Sequence, residues 1–537
     1  MKRREFLKSV GIGSASLLIP STVLALSKNK KPTGTRPNIL YIMADDQNAS
    51  FVGSYGGWIK DFVQTPTIDK LAEEGARLTN CFNTNSLCAP SRASIISGKY
   101  SHNSGVYTLR EDMNTAGWNT LPVVMKKSGY QTAAVGKWHV HGDNLHGLDY
   151  YALTKTSQGR YINPSMSTPD GKRNEEGHSS DVYTNISMEW LEKRDKTQPF
   201  FLMHHFKAAH GPWQYAPRYE SLYQDVEIPE PPTLHDDYSN RFEGGVGVKK
   251  SKIFSKDGTG SLASRMQGLN KKGEQGEWPT GNLDISGMSD SEIKKATYQK
   301  YVKDYLRCVK GIDDNVLRLV NYLEQEGILD DTLIIYTADQ GMYVGEHGFY
   351  DKRLGLDEGM RMPFIARYPK EIQAGVVLDD IVNNVDFPET MIDYAEAEIP
   401  ADMQGFSFRK NLNGDPEAHQ RTATFYAFYS SGTPRHYGIR TKHHKLLKYM
   451  GKDGSAIGQD LFDMDKDPHE LRSVLNDKSY AGVLKKLESQ LKDEMQAIGL
   501  SEEDLPGRWK APGKKTKNPK KSKKTGMKNK KSKKKKS

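Results

Sequence analysis

The chain has 537 residues but only three cysteines, Cys81, Cys88 and Cys308. An odd count at irregular spacing excludes a disulfide framework. No cysteine pair stands at zinc-like spacing with another pair or with histidines. Beyond the N-terminus there is no run of eighteen apolar residues, so the mature chain is expected to have no transmembrane segment. No internal repeat is present. Hydrophobic residues make up 36% of the chain, ample for a sizeable core and for two or more domains at this length. Acid is missing altogether from residues 510–537, which hold fifteen lysines. Taking those fifteen charges from the net +10 leaves −5 for residues 1–509. A mildly acidic body therefore carries a polycation. A like-charged block with few apolar residues cannot bury enough surface to fold, so residues 506–537 read as a disordered Lys-rich tail. Such a tail is either a tether to a polyanion (sulfated glycan, anionic envelope or nucleic acid) or merely solvated. No specific nucleic-acid site is expected.

The first residues, MKRREFLKSVGIGSASLLIPSTVLA, combine a basic start, an apolar middle and a small residue, Ala25, at a plausible cleavage point. The Arg3–Arg4 pair followed by EFLK resembles a twin-arginine export signal. Residues 1–25 are thus expected to be a removed leader and 26–35 a linker, with the mature protein in a bacterial periplasm or outside the cell.

Between these ends, apolar runs alternate with helical patterns. NILYIM (38–43), TAAVGKW (132–138), PFFLMHHF (199–206) and TLIIYTAD (332–339) read as buried strands. A helix is expected to begin at Thr65-Pro66 and run to about 78, with Ile68, Leu71, Ala72 and Leu78 on its apolar face and Cys81 just past its end. A longer helix spans roughly 291–326 and takes in Cys308 as a small buried apolar residue. Strands alternating with helices imply an α/β domain with a largely parallel sheet, here over 36–405. Residues 226–295, rich in turn formers, read as a surface insertion within it. Short β-like runs after residue 405 and a helix near 478–497 read as a smaller α+β domain over 406–505.

What matters is how the strands end. They deliver Asp45-Asp46, Lys137 and His139, His210, and Asp339-Gln340 in turn. In open α/β sheets ligands bind beyond the carboxyl ends of the strands, so one polar site is expected there. Singly, the Asp pair could be helix caps and Asp-Gln-Gly a turn. Together, Asp45, Asp46, Asp339 and Gln340 are oxygen donors, and clustered carboxylates call for a cation. Oxygen-only ligation selects a hard ion, Ca²⁺ or Mg²⁺. Lys137, His139, His210 and Lys352 are the candidates for anion contact and proton transfer. Cys88 alone among the cysteines sits amid small, turn-forming residues.

The segment CAPSR at 88–92 followed by ASIISGKY, with PNILYIMADDQ, VGKWH, TADQG and GEHGFYDKR around it, resembles the sulfatase family of the alkaline-phosphatase-like superfamily. YGIRTKHHKLL and LFDMDKDPHEL extend the resemblance, which covers about residues 36–500. It implies a large, mostly parallel mixed sheet flanked by helices, plus a smaller C-terminal α+β domain with an antiparallel sheet. It implies that a sulfatase-maturating enzyme oxidises Cys88 to formylglycine, whose hydrated aldehyde attacks sulfur from the metal and later expels sulfate. By motif, Asp45, Asp46, Asp339, Gln340 and the modified Cys88 would hold the metal, Ca²⁺ by preference. Arg92 and His139 would hold the formylglycine, His210 would protonate the leaving oxygen, and Lys137 and Lys352 would grip the sulfate. His347 would lie behind them. Gln340 replaces a common Asn, and Leu356-Asp357-Glu358 replace a common Tyr-Glu-Glu in a region expected near the substrate. PEPPTLHDDY, TADQG and YDKR look most like the glucosamine-6-sulfatase branch, where the histidine before YGIRT, here His436, contacts the sugar. A sulfated carbohydrate is the implied substrate. The alternatives are a phosphonate monoester hydrolase or phosphodiesterase on the same scaffold, and a non-catalytic polyanion-binding protein.

Overall fold

Apolar runs without alternation need cover on both faces, and the four predicted strands receive it. The computed structural model describes residues 36–242, 245, 252–255, 261–268, 276–431 and 433–509. The expected leader and linker (1–35) and residues 510–537 lie outside these. Five strands, Thr332–Ala338, Asn38–Ala44, Phe200–His205, Gln131–Lys137 and Tyr150–Thr154, lie side by side and parallel, in that order, at the centre of a ten-stranded sheet. Along the central strand, Leu40, Ile42 and Ala44 enter the core on one face, while Ile39, Tyr41 and Met43 enter the core on the other. Two-sided burial explains why the run reads as continuously apolar. The long helix Asp290–Gln325 covers the first face, with Tyr301, Tyr305, Cys308 and Val309 in that core.

The remaining strands make the sheet mixed. Phe364–Arg367 pairs antiparallel with Thr332–Ala338 and with Ala76–Phe82, and Val376–Asn383 closes that side. The helix that begins at Pro66 therefore ends at Glu73, and Leu78 and Cys81 belong to a strand instead. Gly75 sets the break: a Cβ there would stand 2.2 Å from the Ala366 carbonyl oxygen, so the incoming strand is admitted by a glycine. Residues 226–295 are more than a surface insertion, since Ile228, Leu234, Ile253, Leu262, Met266 and Trp278 all join the first core.

After residue 405 a four-stranded antiparallel sheet forms from Ala423–Phe428, Arg435–Thr441, His444–Met450 and Ala456–Asp463. The helix Ala481–Ala497 packs on it through Leu487 and Leu491. Residues 506–509, expected to belong to the tail, are held to the fold: the Trp509 ring stacks on Tyr107 at 4.3 Å. Among the described residues no helix is long and apolar enough to cross a membrane.

Candidate active site

The parallel strands point the same way, so their carboxyl ends meet at one edge. Asp45 and Asp46 follow Ala44, Asp339 and Gln340 follow Ala338, and His139 and His210 follow the neighbouring pair of strands. Gly136 allows the last pair to approach closely. Its φ is +106°, and a Cβ would lie 1.9 Å from the His205 carbonyl oxygen. Asp46 and His139 also sit at positive φ, 60° and 55°, a conformation that costs energy in non-glycine residues and concentrates at functional sites.

Facing this edge is the helix Cys88–Ser97, all ten residues of which are buried. Its first residue is Cys88, so the helix begins at the site with its unpaired N–H groups and its positive dipole end. Cys88 Sγ lies 3.6 Å from Asp45 Oδ1, 3.8 Å from Asp46 Oδ1 and 3.4 Å from Gln340 Nε2. Asp45, Asp46, Cys88 and Asp339 each offer a ligand atom within 4.8 Å of the others. Burial pushes the Cys88 thiol up to about 12, so as a cysteine it is a poor nucleophile at neutral pH.

Three cations hold the three carboxylates. Lys137 Nζ pairs with Asp45, Lys352 Nζ with Asp46, and Arg92 Nε donates to Asp339 at 2.8 Å. Arg92 also reaches Asp45 at 3.5 Å and the Lys137 carbonyl. Burial drives the Asp45 carboxyl up, but Lys137, His210 and Arg92 together hold it well below its ordinary range. Burial prevails at Asp46, which is raised despite Lys352, and at Asp339, raised to about 7 despite Arg92. His139 is pushed down to about 2 by burial and by Lys137 and Arg92. His210 is lowered by burial and by Lys352.

A hard cation fits this donor set. The Gln340 Oε1 is buried and has no hydrogen-bond partner, while its Nε2 points at Asp46 Oδ1. Turning the amide over puts a carbonyl oxygen among three carboxylates and satisfies the orphaned atom. Four oxygen-bearing side chains of high negative charge suit Ca²⁺ or Mg²⁺ rather than zinc.

A cleft of about 220 Å³ opens onto this floor, lined by Asp46, Cys88, His210 and Lys352. The structure thus brings together Asp45, Asp46, Cys88, Arg92, Asp339, Gln340, Lys137 and Lys352. His210 stands at the rim, Nε2 3.6 Å from Asp46 Oδ2. Lys137 lies behind Asp45 with no exposed surface. His139 is buried nearby, its Nδ1 unpartnered. His436 does not line the cleft. It is fully buried, its ring stacked 5.5 Å from Phe428 and its Nδ1 bonded to the Pro434 carbonyl at 2.7 Å. Residues unmarked in the sequence reading line the walls instead: Gln158, Arg265, Asp351 and Arg353, the last two ion-paired at 2.8 Å. For Asp351 and Arg353 the place in DKR beside Lys352 was the available signal; Gln158 and Arg265 carried none.

The segment behind Lys352 is fixed from two sides. His347 Nδ1 meets Asp236 at 2.8 Å, and its Nε2 lies 3.6 Å from Glu358. Burial would lower this imidazole, but the two carboxylates raise it to about 9. Asp357, expected near the substrate, turns away into an ionic cluster. Arg440 holds both its oxygens at 3.1 Å, and Lys445 bridges it (2.6 Å) to Glu470 (2.7 Å).

Comparison with known proteins gives a consistent picture. A family model described as sulfatase matches residues 37–397, and one described as N-sulphoglucosamine sulphohydrolase, C-terminal, matches residues 345–497. An N-acetylglucosamine-6-O-sulfatase of Bacteroides thetaiotaomicron is 36% identical over 516 residues, 90% of each chain. The human N-acetylglucosamine-6-sulfatase is 27% identical, covering 74% of this chain and 68% of its own. A solved structure of a protein in complex with its substrate D-glucosamine-2-N,6-O-disulfate superposes with a TM-score of 0.78 at 33% identity, over 87% of this chain and 98% of that one.

Proposed function

This chain belongs to the sulfatase family and is a sulfuric ester hydrolase, and from that premise we propose that it removes sulfate from a sulfated carbohydrate, a 6-O-sulfated glucosamine unit by preference. The carrying observation is a cleft whose floor joins Cys88 to a carboxylate cluster and whose wall holds a lysine and a histidine. The choice of sugar rests on the relatives that act on N-acetylglucosamine 6-sulfate.

In this reading residues 36–405 carry the chemistry and 406–505 brace it. Asp45, Asp46, Asp339 and Gln340 hold the cation. Bound there, Ca²⁺ or Mg²⁺ supplies Lewis acidity, and formylglycine made from Cys88 by a maturating enzyme supplies a hydrated aldehyde as the oxygen nucleophile. The chain's own residues do the rest. The sulfate brings negative charge against Lys137 and Lys352, which in its absence are occupied by Asp45 and Asp46. With the carboxylates holding a cation, Lys137 and Lys352 would be free to face that sulfate, and no buried charge would stand alone. Arg92 orients Asp339 and opposes the burial that raises it, and His139 steadies the modified residue. His210, at the rim, hands a proton to the departing sugar oxygen, the negative charge of the bound sulfate offsetting the burial and the Lys352 charge that otherwise keep the imidazole neutral. The cleft has room for one sugar ring, and Arg265, Asp351 and Arg353 offer hydrogen bonds to its hydroxyls. His436 acts on the sugar only indirectly in this arrangement, through the loop at Gly355, which it touches. Residues 1–25 direct export, and residues 510–537 bind a polyanion.

The test is mass spectrometry of the Cys88 peptide from the native host, paired with turnover of glucosamine 6-sulfate. Conversion of CH₂SH to CHO removes roughly 18 Da. An unconverted thiol in protein that hydrolyses the sulfate would overturn the nucleophile assignment. A higher kcat/KM on matched phosphate or phosphonate esters would overturn the reaction assignment.

A further inference from the structure

The cleft holds one cationic side chain that no acid answers. Lys352 pairs with Asp46, and Arg353 pairs with Asp351. Arg265 lines the same cleft, yet no carboxylate of the described residues stands within ion-pair distance of it. Its guanidinium is nonetheless held in place. Nη1 donates to the Tyr350 hydroxyl at 3.1 Å. The central carbon lies 5.7 Å from the centres of the Trp278 and Tyr350 rings alike, and both rings are buried. Cation–π contacts of that length favour a fixed planar head. The backbone beneath is fixed as well. Arg265 belongs to the short helix Leu262–Met266, whose Leu262 and Met266 sit in the main core, and the Ser261 hydroxyl caps its start.

A guanidinium carries five N–H donors in a rigid fork, and Tyr350 takes one of them. The charged remainder matches an oxyanion better than a sugar hydroxyl, which uses one donor and brings no charge. The scissile sulfate has its own cations, because Lys137 and Lys352 face it in the reading above. Arg265 is therefore free for a second anion. The cleft, of about 220 Å³, has room for one sugar ring, so an anion that meets Arg265 inside it stands on the ring that carries the scissile ester. We propose that Arg265 is a specificity residue that binds a second sulfo group on that ring, at its amine or at a hydroxyl. The preferred substrate is then a disulfated amino sugar. The proposal rests on the sulfatase reading above and sharpens the substrate class of that same site.

The experiment compares the parent with Arg265→Met, which keeps an apolar stem against the two rings, and with Arg265→Lys, which keeps the charge but not the fork. Turnover is measured on N-acetylglucosamine 6-sulfate, on the N-sulfo and 3-O-sulfo forms of the same 6-sulfate, and on a disaccharide joining N-acetylglucosamine 6-sulfate to a uronic acid. The parent should prefer one of the disulfated sugars to the monosulfated one by about tenfold in kcat/KM, through KM. In Arg265→Met that ratio should fall to within about twofold of one, and Arg265→Lys should keep only part of it. A purely structural role would lower all the rates together and leave the ratio unchanged, and that result would overturn the proposal. So would a parent that turns over mono- and disulfated sugars equally. A preference seen only with the uronic acid, and lost in Arg265→Met, would overturn the assignment of the second anion to the same ring. Calorimetric titration of Cys88→Ala protein with the same sugars keeps the two readings apart. A parent, matured at Cys88, that hydrolyses none of the four compounds refutes the sulfatase reading, while equal affinity of the Cys88→Ala protein for mono- and disulfated sugars refutes the role of Arg265.

Discussion

Replacing Lys445 by methionine should unfold the protein more easily, and by an amount that grows with pH. Lys445 has no exposed surface and lies 2.6 Å from Asp357 and 2.7 Å from Glu470. Removing one partner of a buried ion pair costs about 3–5 kcal/mol. Here the cost is moderated, because Asp357 keeps Arg440 and Glu470 can take up a proton. Burial, opposed by Lys445, already raises Glu470 to about 7, against about 4.3 in an unfolded chain. The folded state thus binds a proton that the unfolded state releases, and its stability falls as pH rises from near 4.3 through 7, then levels off. In the variant Glu470 has lost its cation and stays protonated past pH 8. Its stability keeps falling at about 1.4 kcal/mol per pH unit, where the parent averages half that between pH 6 and 8. The penalty should therefore be about 3 kcal/mol at pH 7 and grow by about 1.4 kcal/mol from pH 6 to 8. Urea unfolding followed by tryptophan fluorescence at the two pH values measures it. The double variant Lys445→Met/Glu470→Gln, which strands no carboxylate at that position, should cost less than the single one. A penalty below about 1 kcal/mol at pH 8, or one that is flat with pH, would refute the account.

Three further outcomes are expected. Cys88→Ala should abolish turnover while changing unfolding free energy by less than about 1 kcal/mol, since the thiol makes only long contacts to its carboxylate neighbours; a residual rate above a hundredth of the parent's would argue against its role. Chelation should lower both activity and Tm, and Ca²⁺ at a hundred times its Kd should restore about 2.7 kcal/mol of stability; Asp339→Asn should blunt that response, and an unaltered calcium shift in the variant would remove Asp339 from the ligand set. Finally, His347 is raised to about 9 by Asp236 and Glu358, so its contribution is complete below about 6.5 and fades as pH climbs through 9, a loss of about 3 kcal/mol. His347→Gln should flatten that part of the stability profile; an unchanged slope between pH 7 and 9 would contradict the pairing.

The catalytic edge was legible because its determinants are local. Each central strand is an unbroken apolar run, and each delivers its polar residues immediately after the run, so Asp45, Asp46, Asp339 and Gln340 could be placed before any coordinates. The strand Ala76–Phe82 was not legible. Its first residues continue a helical spacing, and only the close approach at Gly75, set by a partner some 290 positions away, separates the two elements. The ion pairs of Asp357 with Arg440 and Lys445 leave no local pattern either, since residues more than eighty positions apart supply them. That is why Asp357 read as a substrate neighbour. His436 read as a sugar contact by its place before YGIRT, whereas its strand turns the ring inward onto Phe428 and Tyr426.

Cys88 is only 1% exposed, and it opens a helix with no surface residue at all. The thiol meets solvent only at the floor of the cleft, and the rest of its helix offers a modifying enzyme nothing to grip in the finished fold. Its proposed conversion to formylglycine is therefore a matter of timing during synthesis. The segment must be handled while the chain is still open, in a race between the maturating enzyme and the collapse of the sheet around it. On that proposal, a molecule that folds first would keep the thiol and be inert. The specific activity of a preparation would then record which of two rates was faster in the cell that made it.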